Sequence, residues 1–592
     1  MSKRTQRVFV VLLLSIHTLL LLDGANRNFV VVDETAHVPS GIAHWKTGTF
    51  GAYCVNPPLS RMIATLPVLA LRPKDDFSRL DALPGERSEW LLALDFMNVN
   101  RDRFFDLFKV ARLAGIAWSV FGAWLAGKWA RELYGDVAGL LTTALWCLEP
   151  TTIAFAQVVT PDVPASVAGL LAAYAFWAYL GGPTWTRAIL CGLALGLAVA
   201  TKFTLIVFYA VWPVVWLVTS RRPRRPRARW GRLSHPLAIL ATSLLVINLS
   251  YGFRRVGWTL GEFSFFSAAF SGEEPGVPGN RFRHGILGRV PVPLPEEYIR
   301  GIDLQRRDFE VGLPSYLAGT WRHRGWWYYY LYAMAVKLPL GHLFLFAASL
   351  ATLVARRKAG DAGVFLALHA AAVLALVSSQ TGFNHHVRYV LPALPFLIVG
   401  AGSLVARASR RRIVVCAAMA CWSAVSVLRV HPHEMSYFNE MGGGPTGGDT
   451  HLVDSNIDWG QDLLFLKAWL DRNPDSEPIG LAYYGLVDPR IVGIRSHLPP
   501  LGPTGLFPGD AGYQSRLGPL PGVYAISVNH LRGAQFVAPD GQGGFHHTSR
   551  DDYAYFRRFR PVARAGYSIL IYRITPAEAN VARRDLALPP IK

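Results

Sequence analysis

Long apolar runs recur along the first 428 residues of the chain and then stop. Most of them approach the roughly 20 residues that an α-helix needs to cross the hydrocarbon core of a bilayer. They predict eleven membrane-spanning helices, at residues 8–22, 110–130, 137–155, 163–180, 188–200, 203–219, 237–251, 338–355, 363–378, 390–405 and 413–428. The fold class predicted is a polytopic α-helical membrane protein.

The end of the apolar runs predicts two domains, a membrane domain at 1–429 and a soluble α/β domain at 430–592. In the second domain, residues 463–470 have the spacing of an amphipathic helix. Apolar and β-branched residues predict strands at 479–484, 523–528 and 568–574. The segment 499–521 is rich in Pro and Gly, which predicts a loop.

The charge of the chain, +20 overall, is distributed in a way that argues against nucleic acid as a partner. Arginines cluster in the short segments 221–232, 356–358 and 407–412, between apolar runs. This is the positive-inside pattern of cytoplasmic loops. It predicts a cytoplasmic N-terminus, and the odd number of spans then puts the C-terminal domain outside. The arginine- and alanine-rich composition favours a bacterial chain and so the cell inner (plasma) membrane; the alternative is the endoplasmic reticulum of a eukaryote.

Two long loops fall on the same external side, at 23–109 and 252–324. Residues 59–71 of the first loop are apolar but too short to span comfortably, so we predict a helix lying along the membrane surface. Because the cytoplasmic loops are short, the chemistry is expected on the extracytoplasmic face.

An acidic pair, Asp33 and Glu34, follows the first span closely. One carboxylate at a membrane surface is suited to act as a general base toward an acceptor hydroxyl or amine. The alternative is a solvated pair that caps a short helix. Asp162 lies at the predicted external end of the fourth span, where it serves as a second site acid, as a helix N-cap, or as both.

Three cations, Lys202, Lys337 and Arg388, depart from the charge bias because they fall at the predicted outer boundary. Positive charge is disfavoured there unless something uses it. Each one alone is explained by snorkelling to the interface. Three at comparable depth favour convergence on one anion, and a lipid-linked phosphate is the obvious candidate.

The first loop resembles a known family. Asp33-Glu34 is followed by His37 and Gly41, and then by the run Asn56-Pro57-Pro58-Leu59. This pattern directly after a first span resembles the membrane glycosyltransferases of the protein O-mannosyltransferase and aminoarabinose transferase type, within the GT-C class. The aminoarabinose branch has Lys before Pro-Pro, where this chain has Asn56, so no lysine role is carried over.

The resemblance implies that Asp33 is the catalytic base, that Glu34 matches the second acid of the mannosyltransferase pair, and that a second catalytic-loop acid stands at Asp162. It also implies an inverting transfer from a polyprenyl-phosphate sugar donor. The segments Thr-Lys-Phe-Thr at Lys202 and His-x-Arg-Tyr-x-Leu-Pro, which ends in Arg388-Tyr389-Val390-Leu391-Pro392, are similar to those of bacterial members.

Further site candidates are His37, Asn56, His385, His386 and Tyr389. The adjacent histidines His385 and His386 are possible ligands of a divalent metal together with Asp33 or Asp162, and satisfied polar contacts are the simpler explanation. No cofactor is predicted with certainty, and the metal is left open.

The function predicted is a glycosyltransferase that moves a sugar from a polyprenyl-phosphate donor to a protein, lipid or polysaccharide acceptor. The first alternative is a polytopic transporter or flippase for a lipid-linked sugar. Charged residues collected at one face and the lack of a visible inverted repeat argue against it. The second alternative is a non-catalytic assembly protein whose external domain binds a partner.

Overall fold

The computed structural model describes residues 3–80, 87–220, 234–355, 361–503 and 511–591. Helices dominate the first 428 residues. They are α1 Lys3–Arg27, α2 Val32–Thr47, α3 Leu59–Ala70, α4 Glu89–Val99, α5 Phe104–Tyr134, α6 Asp136–Cys147, α7 Pro150–Ala156, α8 Asp162–Gly181, α9 Trp185–Thr201, α10 Val207–Ser220, α11 Ser234–Ser250, α12 Ala268–Ser271, α13 Glu296–Val311, α14 Tyr329–Lys337, α15 Leu340–Ala355, α16 Asp361–Ser379, α17 Leu394–Ala401 and α18 Arg410–Leu428.

Six helical segments in the described part of the chain are long and apolar enough to cross a membrane, or seven if the bent pair α6 and α7 counts as one span. The pair meets at an angle of 59°. The other predicted spans correspond to shorter apolar helices, among them α9, α11 and α15. The prediction of a polytopic α-helical membrane protein is confirmed, while the count of eleven stays a prediction.

Helix α5 is the longest, with 31 residues, and it packs against α1, α6 and α8. Large side chains such as Trp129 and Trp146 are fully buried between these helices. Glycines bring the helices close together. A Cβ on Gly127 would lie 2.1 Å from Thr143 Oγ1, so α5 and α6 approach more closely there than any larger residue permits.

The loop between α1 and α5 folds over the ends of these helices. It carries α2, α3 and α4, and α2 packs against both α3 and α4. The helix predicted at 59–71 is present as α3, and its predicted position along the membrane surface remains a prediction. The second long loop carries α12, α13 and an antiparallel pair of short strands, β1 Ser315–Leu317 and β2 Thr320–Arg322.

Residues beyond α18 combine helix and strand. The helices are α19 Leu463–Arg472, α20 Ala511–Arg516, α21 Val528–Leu531 and α22 Pro576–Asp585, and the strands are β3 Ile479–Ala482, β4 Ser496–His497, β5 Gly522–Ser527, β6 Val537–Pro539, β7 Phe545–His547, β8 Ala563–Ala565 and β9 Ile569–Ile574. Five of them form a sheet in the order β4-β3-β5-β9-β8. Strand β3 runs parallel to β4 and β5, and β9 runs antiparallel to β5 and β8.

Some of the predicted basic segments and loops lie wholly or partly outside the described residues. The arginine clusters at 221–232 and 356–358 lie outside the described residues. The loop predicted at 499–521 contains the short helix α20, and 504–510 are not described. The boundary at 429/430 and the side of the membrane that the C-terminal part occupies stay predictions.

Candidate active site

Asp33 lies in the first turn of α2, where two contacts fix the start of the helix. The backbone N–H of Val32 donates to the carbonyl of Trp459 at 3.1 Å. The N–H of Val31 donates to the side chain of Glu34 at 3.1 Å, which occupies one of the free donors of a helix N-terminus. The carboxylate of Asp33 keeps 17% of its surface exposed, so a substrate can reach it.

Arg388 lies between two carboxylates. Its Nη2 donates to Asp33 Oδ2 at 2.9 Å, and its Nη1 lies 3.6 Å from Asp162 Oδ2. The side chain extends from the 3₁₀ turn Val387–Ala393 that precedes α17, and only 6% of it is exposed. The guanidinium carbon lies 4.1 Å from the ring centroid of Trp459, close enough for a cation–π contact.

Lys202 and Asp162 form the second ion pair, with the ammonium on Asp162 Oδ1. Asp162 is the first residue of α8, and Lys202 interrupts the helix after α9 with an extended backbone, φ −155° and ψ 133°. The interruption turns the side chain of Lys202 out of the helical path and toward Asp162. Its ammonium also lies 4.8 Å from the ring centroid of Tyr389.

These four groups, two carboxylates and two cations, face a cavity of about 880 Å³. Its wall includes Asp33, His37, Tyr53, Asn56, Arg87, Trp90, Asp162, Lys202, His385, His386, Arg388, Tyr389, Asp454, Trp459, Tyr484 and Phe536. A cavity of this size is in the range of small-molecule binding sites.

Glu34 turns away from this cavity, although it is adjacent to Asp33 in sequence. Both oxygens of its carboxylate bind the buried Arg112, at 2.9 Å and 2.7 Å, and Oε1 also accepts from the N–H of Val159 at 2.8 Å. The two side chains of this ion pair have no exposed surface. Glu34 therefore ties α2 to α5 and to the segment before α8, and it does not line the cavity.

Lys337 is also kept from the cavity. Its ammonium donates to the carbonyls of Met435 at 2.8 Å and Asn456 at 2.5 Å, and it lies 4.6 Å from the ring centroid of Phe438. Of the three predicted cations, the structure brings Lys202 and Arg388 together. Lys337 holds two backbone segments together below them.

The remaining predicted residues all line the cavity. His385 Nδ1 lies 3.5 Å from Asp454 Oδ2, and His386 Nδ1 lies 3.3 Å from Asp454 Oδ1. Burial lowers the pKa of His386 to about 4, so its ring is neutral at neutral pH. In the described part of the chain, no group of three or more His, Cys, Asp or Glu side chains is arranged to hold a metal ion.

Several wall residues lie outside the set of site residues predicted from the sequence. Arg87 and Trp90 come from the first loop, whereas Asp454, Trp459 and Tyr484 come from beyond α18. Asp454 has a positive φ of 62°, a strained conformation for a non-glycine residue, and accepts from the hydroxyl of Tyr484 at 2.9 Å. The long gaps in sequence gave no signal that these segments meet.

Residues 90–251 match the family model described as dolichyl-phosphate-mannose-protein mannosyltransferase. The predicted resemblance is confirmed. The matched segment runs from α4 to the turn after α11, and it contains Asp162 and Lys202. It excludes Asp33 and Arg388, so the first-loop pattern and the family match are separate observations.

Three solved structures are similar at low identity. ArnT from Cupriavidus metallidurans bound to undecaprenyl phosphate is 12% identical, with a TM-score of 0.46 over 95% of this chain and 97% of that one. The apo state of the same protein is 14% identical, with a TM-score of 0.45 over 98% of this chain and 99% of that one. The S. cerevisiae protein O-mannosyltransferase Pmt1-Pmt2 complex bound to the sugar donor is 14% identical, with a TM-score of 0.33 over 43% of this chain and 34% of that one.

None of the three reaches a TM-score of 0.5. No curated protein sequence matches the chain.

Proposed function

We propose that the chain is a membrane glycosyltransferase that moves a sugar from a polyprenyl-phosphate donor to an acceptor, with inversion at the anomeric carbon. The observation that carries the proposal is the meeting of Asp33 and Arg388, 355 positions apart, in one cavity with Asp162 and Lys202. A base beside two cations is what transfer from a phosphate leaving group requires.

The donor phosphate binds by exchange of ion pairs. Arg388 has a buried Nε without a hydrogen-bond partner among the described residues, so it has a donor to offer beyond its contacts with Asp33 and Asp162. A phosphate oxygen that takes this donor and draws the guanidinium toward itself weakens the pair with Asp33. Lys202, held near Asp162, adds a second positive charge to the same place.

Once the phosphate has drawn Arg388 away, the carboxylate of Asp33 no longer has its ion-pair partner and is free to accept a hydrogen bond from the acceptor. Asp33 then removes the proton from the acceptor O–H or N–H while the acceptor atom forms a bond to the anomeric carbon. The bond between that carbon and the phosphate oxygen breaks, and its electron pair stays on the phosphate. Arg388 and Lys202 stabilise the charge that develops there.

The donor class is supported by the family match, because the matched family is named for a sugar carried on dolichyl phosphate. The arginine- and alanine-rich composition favours a bacterial chain, for which the carrier is undecaprenyl phosphate and the membrane is the inner one. The acceptor, a protein, lipid or polysaccharide, approaches from the extracytoplasmic side. The residue arrangement does not favour the transporter alternative, because its charges are collected in one cavity.

The test uses the purified chain in sealed vesicles with a panel of undecaprenyl-phosphate sugars labelled in the sugar, and membranes of a deletion strain as the source of acceptor. We expect one donor to be consumed, with label in an acceptor product and undecaprenyl phosphate released. Movement of intact labelled lipid across the vesicle membrane would instead indicate a flippase. If none of the labelled donors is consumed, the proposal is overturned.

A further inference from the structure

His37 is a buried histidine at the cavity wall whose two ring nitrogens have no hydrogen-bond partner within the described part of the chain. Only 1% of the residue is exposed. A buried polar group left without a partner costs about 1–3 kcal/mol. Such groups in native proteins are rare, and a ligand that satisfies them is one of the few explanations.

The ring is held in a fixed orientation. It packs against Tyr53, with ring centroids 4.1 Å apart and the ring planes tilted by 30°. Tyr53 in turn contacts Arg61 and Arg87, whose guanidinium carbons lie 5.5 Å and 5.7 Å from its centroid. Tyr53 itself has a positive φ of 55°, so its backbone is strained to present the ring there.

The imidazole of His37 is neutral. Burial lowers its pKa well below the usual 6.5, and the charges of Arg61, Arg388 and Arg87 lower it further. A neutral imidazole has one N–H donor and one nitrogen acceptor. A hydroxyl group, which donates one hydrogen bond and accepts others, matches this pair.

His37 lies four residues after Asp33 on α2, so the two side chains are on the same face of the helix, one turn apart. We propose that His37 is the binding residue for a hydroxyl group of the substrate, placed one helical turn from the base. The hydroxyl belongs either to the donor sugar or to the acceptor. This inference rests on the proposed function and adds a subsite to it.

The test compares His37→Phe, which keeps an aromatic ring against Tyr53, with His37→Gln, which keeps a donor and an acceptor. His44→Phe is the matched control, because His44 is a buried histidine of the same helix whose nitrogens are already bonded, to Thr49 O at 2.7 Å and to Arg61 Nε at 2.9 Å. Thermal midpoints come first. His44→Phe should be less stable than the wild type, and His37→Phe should be at least as stable as the wild type.

Two arms then separate the sources of the hydroxyl. The donor arm measures the affinities for undecaprenyl phosphate and for the undecaprenyl-phosphate sugar that the panel identifies as the donor. The acceptor arm measures the apparent KM for acceptor in membranes of the deletion strain. We expect His37→Phe to bind undecaprenyl phosphate like the wild type. It should either bind the sugar donor about tenfold more weakly or show an apparent KM for acceptor about tenfold higher. In His37→Gln the affected quantity should return close to its wild-type value.

A wild-type chain that fails to bind undecaprenyl phosphate would overturn the proposed function together with this inference. If the wild type binds it and His37→Phe equals the wild type in both arms, the inference alone is overturned. A loss of thermal stability in His37→Phe as large as that in His44→Phe would also overturn it, because His37 would then be a structural residue.

Discussion

Arg388 holds its guanidinium between Asp33, at 2.9 Å, and Asp162, at 3.6 Å, beneath the ring of Trp459. The planar guanidinium of Arg carries several N–H donors in a fixed geometry, so it can bridge two carboxylates, whereas the ammonium of Lys is a single point charge. We expect Arg388→Lys to weaken binding of undecaprenyl phosphate about tenfold, or ~1.4 kcal/mol, since charge is kept and the second contact is lost. Equilibrium binding in detergent measures this.

Arg255→Gln is the control for this change. Its guanidinium is 55% exposed where it pairs with Glu296, and surface pairs contribute about 0–1 kcal/mol. Its affinity for undecaprenyl phosphate should equal that of the wild type. Wild-type affinity in Arg388→Lys would show that the fork of the guanidinium is not used.

The pair Asp33-Glu34 shows what the sequence predicts at a single position and what it leaves out. Its place after the first span predicted site acids, and Asp33 lines the cavity. Adjacent residues of a helix, however, point about 100° apart. Only one of the two can face the cavity. Which one does is decided by Arg112, 78 positions away, whose partner is Glu34.

Helix α2 depends on this buried ion pair for its place against α5. We expect Glu34→Gln to lower the free energy of unfolding by about 3–5 kcal/mol, because the change leaves the charge of Arg112 buried without a counter-charge. The thermal midpoint in detergent should fall clearly. Glu132→Gln is the control, because it removes an ion pair with Lys128 in which the Glu132 side chain is 44% exposed. It should change the free energy of unfolding by less than about 0.5 kcal/mol. Equal midpoints for Glu34→Gln and the wild type would contradict this role.

Elements were more predictable than contacts. The apolar runs located the helices of the membrane region, and β-branched residues located β3, β5 and β9 to within a few residues. The breaks that build the site were not predicted, such as the extended backbone at Lys202 between two helical segments. Lys337 shows the same limit, because backbone carbonyls from residues 435 and 456 occupy its ammonium, and composition carries no information on such partners.

The cavity is shared by the two halves of the chain, since Asp454, Trp459 and Tyr484 line it together with Asp33. A site of this kind places both the first loop and the C-terminal part on one side of the membrane. The orientation predicted from the arginine clusters makes that side extracytoplasmic. Neither the shared wall nor Arg87 and Trp90 could be predicted, because long-range packing brings them together.

Cysteine labelling tests this orientation. In a Cys421→Ser background, which removes the exposed native thiol, an impermeant maleimide should label Gln542→Cys in intact spheroplasts. Ser409→Cys, in the basic segment before α18, should react only after permeabilisation. The reverse pattern would turn the cavity toward the cytoplasm and contradict the account.

The role of Asp33 as the base is tested most directly by measuring donor affinity and turnover separately in Asp33→Asn. The neutral amide no longer competes for Arg388, so the affinity for the lipid-linked donor should be equal to that of the wild type or higher. Turnover should fall by about 10²–10⁴-fold, the usual contribution of a general base. Turnover close to that of the wild type, or a loss of donor binding as large as the loss of turnover, would contradict the base role.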